Sequence, residues 1–103
     1  MAHHRVNGTL DEPLEEVEAS LRKEAGSEGW ALAEGESGPG LLVFKKGTTA
    51  TSWGAELRVS LEEASANQTN VTINTHETWA LTDWGRGSRA ARRLLKGIGA
   101  ELD

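Results

Sequence analysis

Between residues 55 and 76 the chain alternates with a period of two, twice over. Ala55, Leu57, Val59 and Leu61 fall on one side, and Glu56, Arg58, Ser60 and Glu62 on the other. After Glu63-Ala-Ser-Ala-Asn-Gln68, which reads as a turn, Thr69, Val71, Ile73 and Thr75 alternate with Asn70, Thr72, Asn74 and His76. A strand sends successive side chains to opposite faces, so this pattern predicts a long hairpin with one apolar and one polar face. A sheet built on such a hairpin covers its apolar face with helices and leaves the other face wet.

Two segments have the period to supply those helices. Asp11-Glu12-Pro13 reads as a helix start, with Asp11 as the cap and Pro13 in the first turn, where its missing N–H costs nothing. Leu14, Val17, Leu21 and Ala25 then recur at helical spacing, and Gly26 is expected to end the helix. Glu15, Glu16, Glu18 and Arg22 form its solvated face. The second helix is expected from about Gly85 to Glu101. Its core stripe is Ala91, Leu95, Ile98 and Leu102 with Leu94 alongside, flanked by a basic stripe of Arg89, Arg92, Arg93 and Lys96. Gly97 and Gly99 cost roughly 1 kcal/mol each in helix propensity, a cost that close packing would justify.

The remaining strands are shorter. Residues 4–10 place Val6, Gly8 and Leu10 on one face. Residues 29–46 read as a second hairpin: Trp30 and Leu32 on its first arm, Leu41–Lys46 on its second, and the glycine-rich turn Glu34–Gly40 between them. That turn lacks the Gly-Lys-Ser/Thr ending of a phosphate loop and precedes a strand. The expectation is a single α+β domain over residues 1–103. It is a two-layer sandwich in the order β-α-β-β-β-β-α, with a mostly antiparallel five-strand sheet and both helices on one face. The first strand pairs with the final strand or lies at an edge. A long edge strand would allow a homodimer.

Composition narrows the function classes. The chain has 103 residues and no cysteine, so disulfides and thiolate chemistry are absent. No run of 18 apolar residues is present to span a membrane, and the N-terminal Met-Ala-His-His-Arg-Val has no apolar signal core. A cytoplasmic address is the expectation. The three Asn-X-Thr triplets at Asn7, Asn67 and Asn70 accordingly read as turn and strand chemistry. The net charge of −5 argues against a nucleic-acid partner. Charge is unevenly spread, however. Residues 11–36 hold nine of the sixteen acids and residues 86–96 hold five of the eleven basic side chains, so a local basic surface hides in the mean.

Trp79-Ala-Leu-Thr-Asp-Trp-Gly-Arg-Gly-Ser-Arg89 is where strand must become helix. Its two tryptophans would anchor a corner, and Asp83 or Ser88 would cap the helix. A helix N-terminus with Arg86 and Arg89 nearby also favours anions. The candidate ligand-binding set is therefore Trp53, Trp79, Asp83, Trp84, Arg86 and Arg89. With Trp30 and Phe44 it offers aromatic surface for a pocket between sheet and second helix, suited to an apolar small molecule or a protein partner. The basic stripe has two readings: contact with an anionic surface (lipid headgroups or RNA), or balance for the acidic first helix through Glu15, Glu18 or Glu24. The wet strand faces carry little on which a base would stack.

For an enzyme, the available pair is His76 with Asp83, as in a small hydrolase or cyclase. No His-Glu-x-x-His or Gly-x-Ser-x-Gly motif is present. His3-His4 is a weak metal signal by itself. No catalytic set, metal site or cofactor is assigned, and the leading reading is a non-enzymatic interaction or ligand-binding module.

The element order, with Ser52-Trp53-Gly54 opening one strand and Asp83-Trp84-Gly85-Arg86 opening the last helix, resembles a group of small bacterial and archaeal α+β proteins without an assigned activity. This chain has Gly87-Ser88-Arg89 where that group has an asparagine-containing run. The order is also similar to a shortened helix-grip fold, a class that binds lipids and other apolar ligands. That resemblance implies an apolar ligand, in a cavity that a shorter sheet would reduce.

Overall fold

The computed structural model describes residues 3–46, 55–77 and 86–102. The chain is an α+β two-layer sandwich, with one antiparallel sheet carrying two helices on one face. Strand β1 (His3–Leu10) leads to α1 (Leu14–Ser27). Then come β2 (Ala31–Leu32), a one-turn 3-10 helix (Glu34–Glu36), β3 (Leu41–Lys46), β4 (Ala55–Ser65), β5 (Gln68–Glu77), α2 (Arg86–Gly97) and β6 (Glu101–Leu102). Across the sheet the order is β2-β3-β4-β5-β1-β6.

The period-two hairpin is the middle of this sheet. β4 and β5 pair from Ala55↔Glu77 to Ser65↔Gln68, with a register shift between Glu63 and Ser65. The strands run further than the residue types predicted, so only Ala66 and Asn67 remain as the turn. β1 lies antiparallel beside β5 with Val6↔Ile73 and Gly8↔Val71, as its expected pairing required. The register stacks the apolar positions on one face. Leu42, Phe44, Leu57, Val59, Leu61, Val71, Ile73, Val6 and Leu10 form one buried cluster with Val17, Leu21 and Ala25 of α1 and Ala91, Leu94 and Leu95 of α2. Each such side chain removed from water contributes roughly 1.5–3 kcal/mol for a Val, Leu, Ile or Phe.

The start of α1 differs from expectation. Pro13 is the capping residue, with an extended ψ of 154°, and its carbonyl accepts from the N–H groups of Glu16 and Val17. Asp11 is not the cap. A residue before proline is pushed out of the helical region, so Glu12 cannot join the helix and Leu14 begins it. The Thr69 hydroxyl, fully buried, donates to the Glu12 carbonyl at 2.8 Å and ties this corner to the start of β5.

Both helices end in the same way, and neither ends where the sequence pattern placed it. In α1 the chain runs past Gly26 to Gly29, which has φ +90°. The Trp30 N–H reaches back to the Ala25 carbonyl at 2.9 Å and the Gly29 N–H to Gly26 at 3.1 Å. In α2 the left-handed residue is Gly99, with φ +86°. The Ala100 N–H reaches the Leu95 carbonyl at 2.8 Å and the Gly99 N–H reaches Lys96 at 3.1 Å. These paired back-bonds are the Schellman stop. The second helix therefore ends at Gly97, not Glu101, and Glu101–Leu102 becomes a sixth strand on Gly8 and Thr9. The five-strand expectation failed here because Ile98 and Leu102 fall at helical spacing from Leu95 although the backbone has already reversed.

Gly8 makes that last pairing possible. A Cβ there would lie 3.2 Å from Leu95 Cδ1, 3.3 Å from the Glu101 carbonyl oxygen and 3.4 Å from Ala100 Cβ. The missing side chain is the space that α2 and β6 occupy.

The glycine-rich turn folds back on β3. The Ala33 N–H donates to the Val43 carbonyl at 2.7 Å, and the Val43 N–H donates to Ser37 Oγ at 3.0 Å. Ser37 Oγ in turn donates to the Ala33 carbonyl at 2.8 Å. These bonds satisfy an edge that the two-residue β2 leaves uncovered.

Candidate functional site

Arg89, Arg92, Arg93 and Lys96 recur at helical spacing along α2, so they share one face. All four are exposed, and Ala91, Leu94 and Leu95 on the other face are fully buried. With Glu24 and Gly97 they line a shallow groove of about 590 Å3 beside α1. Helix packing alone brings Glu24 there. A Cβ at Gly97 would collide with the end of its carboxylate, so glycine is what lets that side chain lie against α2.

The expected balance between the helices is met by a single ion pair among the described residues. Arg93 Nη1 lies 3.4 Å from Glu28 Oε1, and the arginine side chain is 73% exposed. Glu18 instead holds Arg22 on its own helix at 3.2 Å. Arg89, Arg92 and Lys96 have no carboxylate within ion-pair distance among the described residues. Among the described residues, three cations therefore stand without an ion pair on one face of a chain whose net charge is −5.

Of the other expected site residues, Trp53, Trp79, Asp83 and Trp84 lie outside the described residues. So do the Ser-Trp-Gly motif and most of the Asp-Trp-Gly-Arg motif. Arg86 is the first residue of α2, and only its backbone is described. His76 belongs to β5, opposite His3 on one side and Glu56 on the other, and its expected partner Asp83 is outside the described residues. Trp30 is partly buried against the core. Lys46 Nζ stands 5.1 Å from its ring centroid and donates to the Glu28 carbonyl at 2.8 Å.

The outer face of the sheet carries a polar array. Arg5 donates to Asn74, Thr9 to Asn70 and Thr72 to Asn7, each across the β1–β5 pair. Further along, Glu56 holds Arg58 at 2.6 Å, and Glu36 of the 3-10 turn bridges Lys45 and Arg58. A hydrogen bond from Lys45 holds the Glu36 carboxyl below its usual range, and the same bond holds the Lys45 ammonium above its own. Sequence reading missed this cluster, because Glu36 and Arg58 are 22 positions apart with no local pattern to join them. Among the described residues this face shows no Trp, Tyr or Phe, so it offers no such platform for bases. No helix of the described residues is long and apolar enough to cross a membrane.

No protein-family model matches the chain, and no curated protein matches it. Among solved structures, the Zhui aromatase/cyclase from Streptomyces sp. R1128 is a distant neighbour. It is 13% identical, the alignment covers 94% of this chain and 83% of that one, and the TM-score is 0.45. The group with Ser-Trp-Gly and Asp-Trp-Gly motifs has no counterpart among these matches.

Proposed function

We propose that this chain is a non-enzymatic binding module whose working surface is the basic face of α2, and that its partner is anionic. The observation that carries this is the set of three cations, Arg89, Arg92 and Lys96, that have no ion-pair partner among the described residues and lie along one groove. A helix that merely balanced α1 would have paired them. The apolar side of α2 is already buried in the core, so recognition is electrostatic and lateral, without insertion. Lipid headgroups and acidic protein segments share this chemistry. Basic side chains near an anionic membrane contribute about 1 kcal/mol each.

Two probes separate the sources: vesicles containing phosphatidylserine compared with phosphatidylcholine alone, and a labelled polyglutamate peptide. Binding to either should weaken as salt rises, because the charges are exposed. The double variant Arg89→Ala, Arg92→Ala should lose at least about tenfold in affinity, from roughly 1 kcal/mol per charge. Unchanged binding by a folded double variant, or no binding to any anionic probe, overturns the proposal. The apolar-pocket reading needs Trp53, Trp79 and Trp84 beside Trp30 and Phe44, and the enzyme reading needs His76 with Asp83; the three tryptophans and Asp83 lie outside the described residues. Neither gains support from the described residues.

A further inference from the structure

We infer that the basic groove of α2 also reads an ammonium group, through Glu24, and that its ligand is the phosphatidylserine headgroup; this rests on the anion-binding reading of the same groove. Glu24 lies in the last turn of α1 and lines the groove together with Arg89, Arg92, Arg93, Lys96 and Gly97. Its side chain lies on the last residue of α2. A Cβ at Gly97 would meet Glu24 Oε2 at 2.5 Å, Cδ at 2.6 Å and Cγ at 3.0 Å. Half-buried there, the carboxylate is in no ion pair among the described residues, although four cations line the same groove.

A carboxylate is disfavoured at a helix C-terminus, where the aligned peptide dipoles leave partial negative charge, and a cation is favoured. Glu24 stands at two such ends, that of its own helix and that of α2, and α1 has no basic side chain in its last turn. The groove does not supply the missing cation. Arg93 pairs with Glu28 at 3.4 Å, and Arg89, Arg92 and Lys96 are beyond ion-pair distance of Glu24. An ammonium brought by a ligand would relieve both helix ends. Arg89 precedes Gly97 by eight residues, about 12 Å along the axis at 1.5 Å per residue, so the two ends of the groove address different groups of one small ligand. The groove volume of about 590 Å3 falls in the usual range for such a ligand, about 300–1,000 Å3. Three unpaired cations and one carboxylate complement a ligand with an ammonium and a net negative charge. The phosphatidylserine headgroup, with its phosphate, carboxylate and ammonium, has that pattern. Phosphatidylglycerol carries the same net charge without the ammonium.

The experiment is co-sedimentation of the full chain with phosphatidylcholine vesicles that carry equal mole fractions of either phosphatidylserine or phosphatidylglycerol. It is run at neutral pH and one low salt concentration, with circular dichroism to confirm the fold of each variant. The wild-type chain should bind the phosphatidylserine vesicles about two- to fivefold more tightly, the range expected of one exposed ion pair. Glu24→Gln should abolish that difference, while binding to phosphatidylglycerol holds or strengthens because a repelling carboxylate is gone. Gly97→Ala keeps Glu24 but puts a methyl group where its carboxylate lies, in a helix that alanine favours, and should erase the same preference. Equal binding of the wild-type chain to both vesicles overturns the inference and leaves the basic face standing. A preference that survives in folded Glu24→Gln does the same. Binding to neither vesicle overturns the anion-binding reading and this inference together.

Discussion

The two places where a helix turns into an edge strand invite comparison. At one, α1 stops at Gly29 and continues as Trp30-Ala31-Leu32. At the other, α2 stops at Gly99 and continues as Ala100-Glu101-Leu102. Each uses a left-handed glycine with paired back-bonds, and each delivers a two-residue strand to one of the two edges of the sheet. Leu32 and Leu102 both pack against the core. The corners differ in what surrounds them. The first is clamped by Lys46 over Trp30 and by the turn bonded to β3. The second depends on a vacancy in its neighbour, Gly8, into which Leu95 and Ala100 fit. The same backbone device is thus secured once by added side chains and once by a missing one.

The largest effects should test whether both helices belong equally to one core. Leu21→Ala in α1 and Leu95→Ala in α2 remove fully buried side chains, and each should cost about 2–5 kcal/mol in urea unfolding. A much smaller loss at Leu95 would break the equivalence of the two corners. The next test is the stop itself. Gly29→Ala and Gly99→Ala should each cost about 1–2 kcal/mol, the left-handed penalty for a residue with a Cβ. Nothing within 4 Å would obstruct a Cβ at Gly99, and at Gly29 the contact with Lys46 is an ordinary 3.4 Å, so the costs should agree. A marked inequality would mean that one corner relaxes to a different turn. The smallest effect belongs to the clamp. Lys46→Ala should lose about 0.5–1 kcal/mol, the range for an exposed cation over an aromatic ring. Thermal denaturation read by Trp fluorescence would detect it, and a neutral result would leave the turn as the main restraint on that corner.

Much of this fold was legible from residue pattern. The alternation over 55–61 and 69–75 located the central hairpin and its buried face. The positions Val17, Leu21 and Ala25 marked the buried side of α1, and Ala91, Leu94 and Leu95 that of α2. The ends of elements were not legible in the same way. Ile98 and Leu102 continue a helical spacing, and only the φ of Gly99 and the vacancy at Gly8 turn them into a corner and a strand. At the candidate site, spacing grouped Arg89, Arg92, Arg93 and Lys96. It did not show that Glu28, just past the end of α1, would pair with Arg93, or that Glu24 would sit at the groove edge.

The sequence by itself determined the periods, and so which side of each strand and helix avoids water, because that depends on neighbours a few residues apart. Only the tertiary structure decided which distant residues face one another: Glu36 with Arg58, Glu28 with Arg93, and Arg5 with Asn74. Those pairings follow from strand order and register. They are set by packing of the whole core, to which no local window of the chain has access.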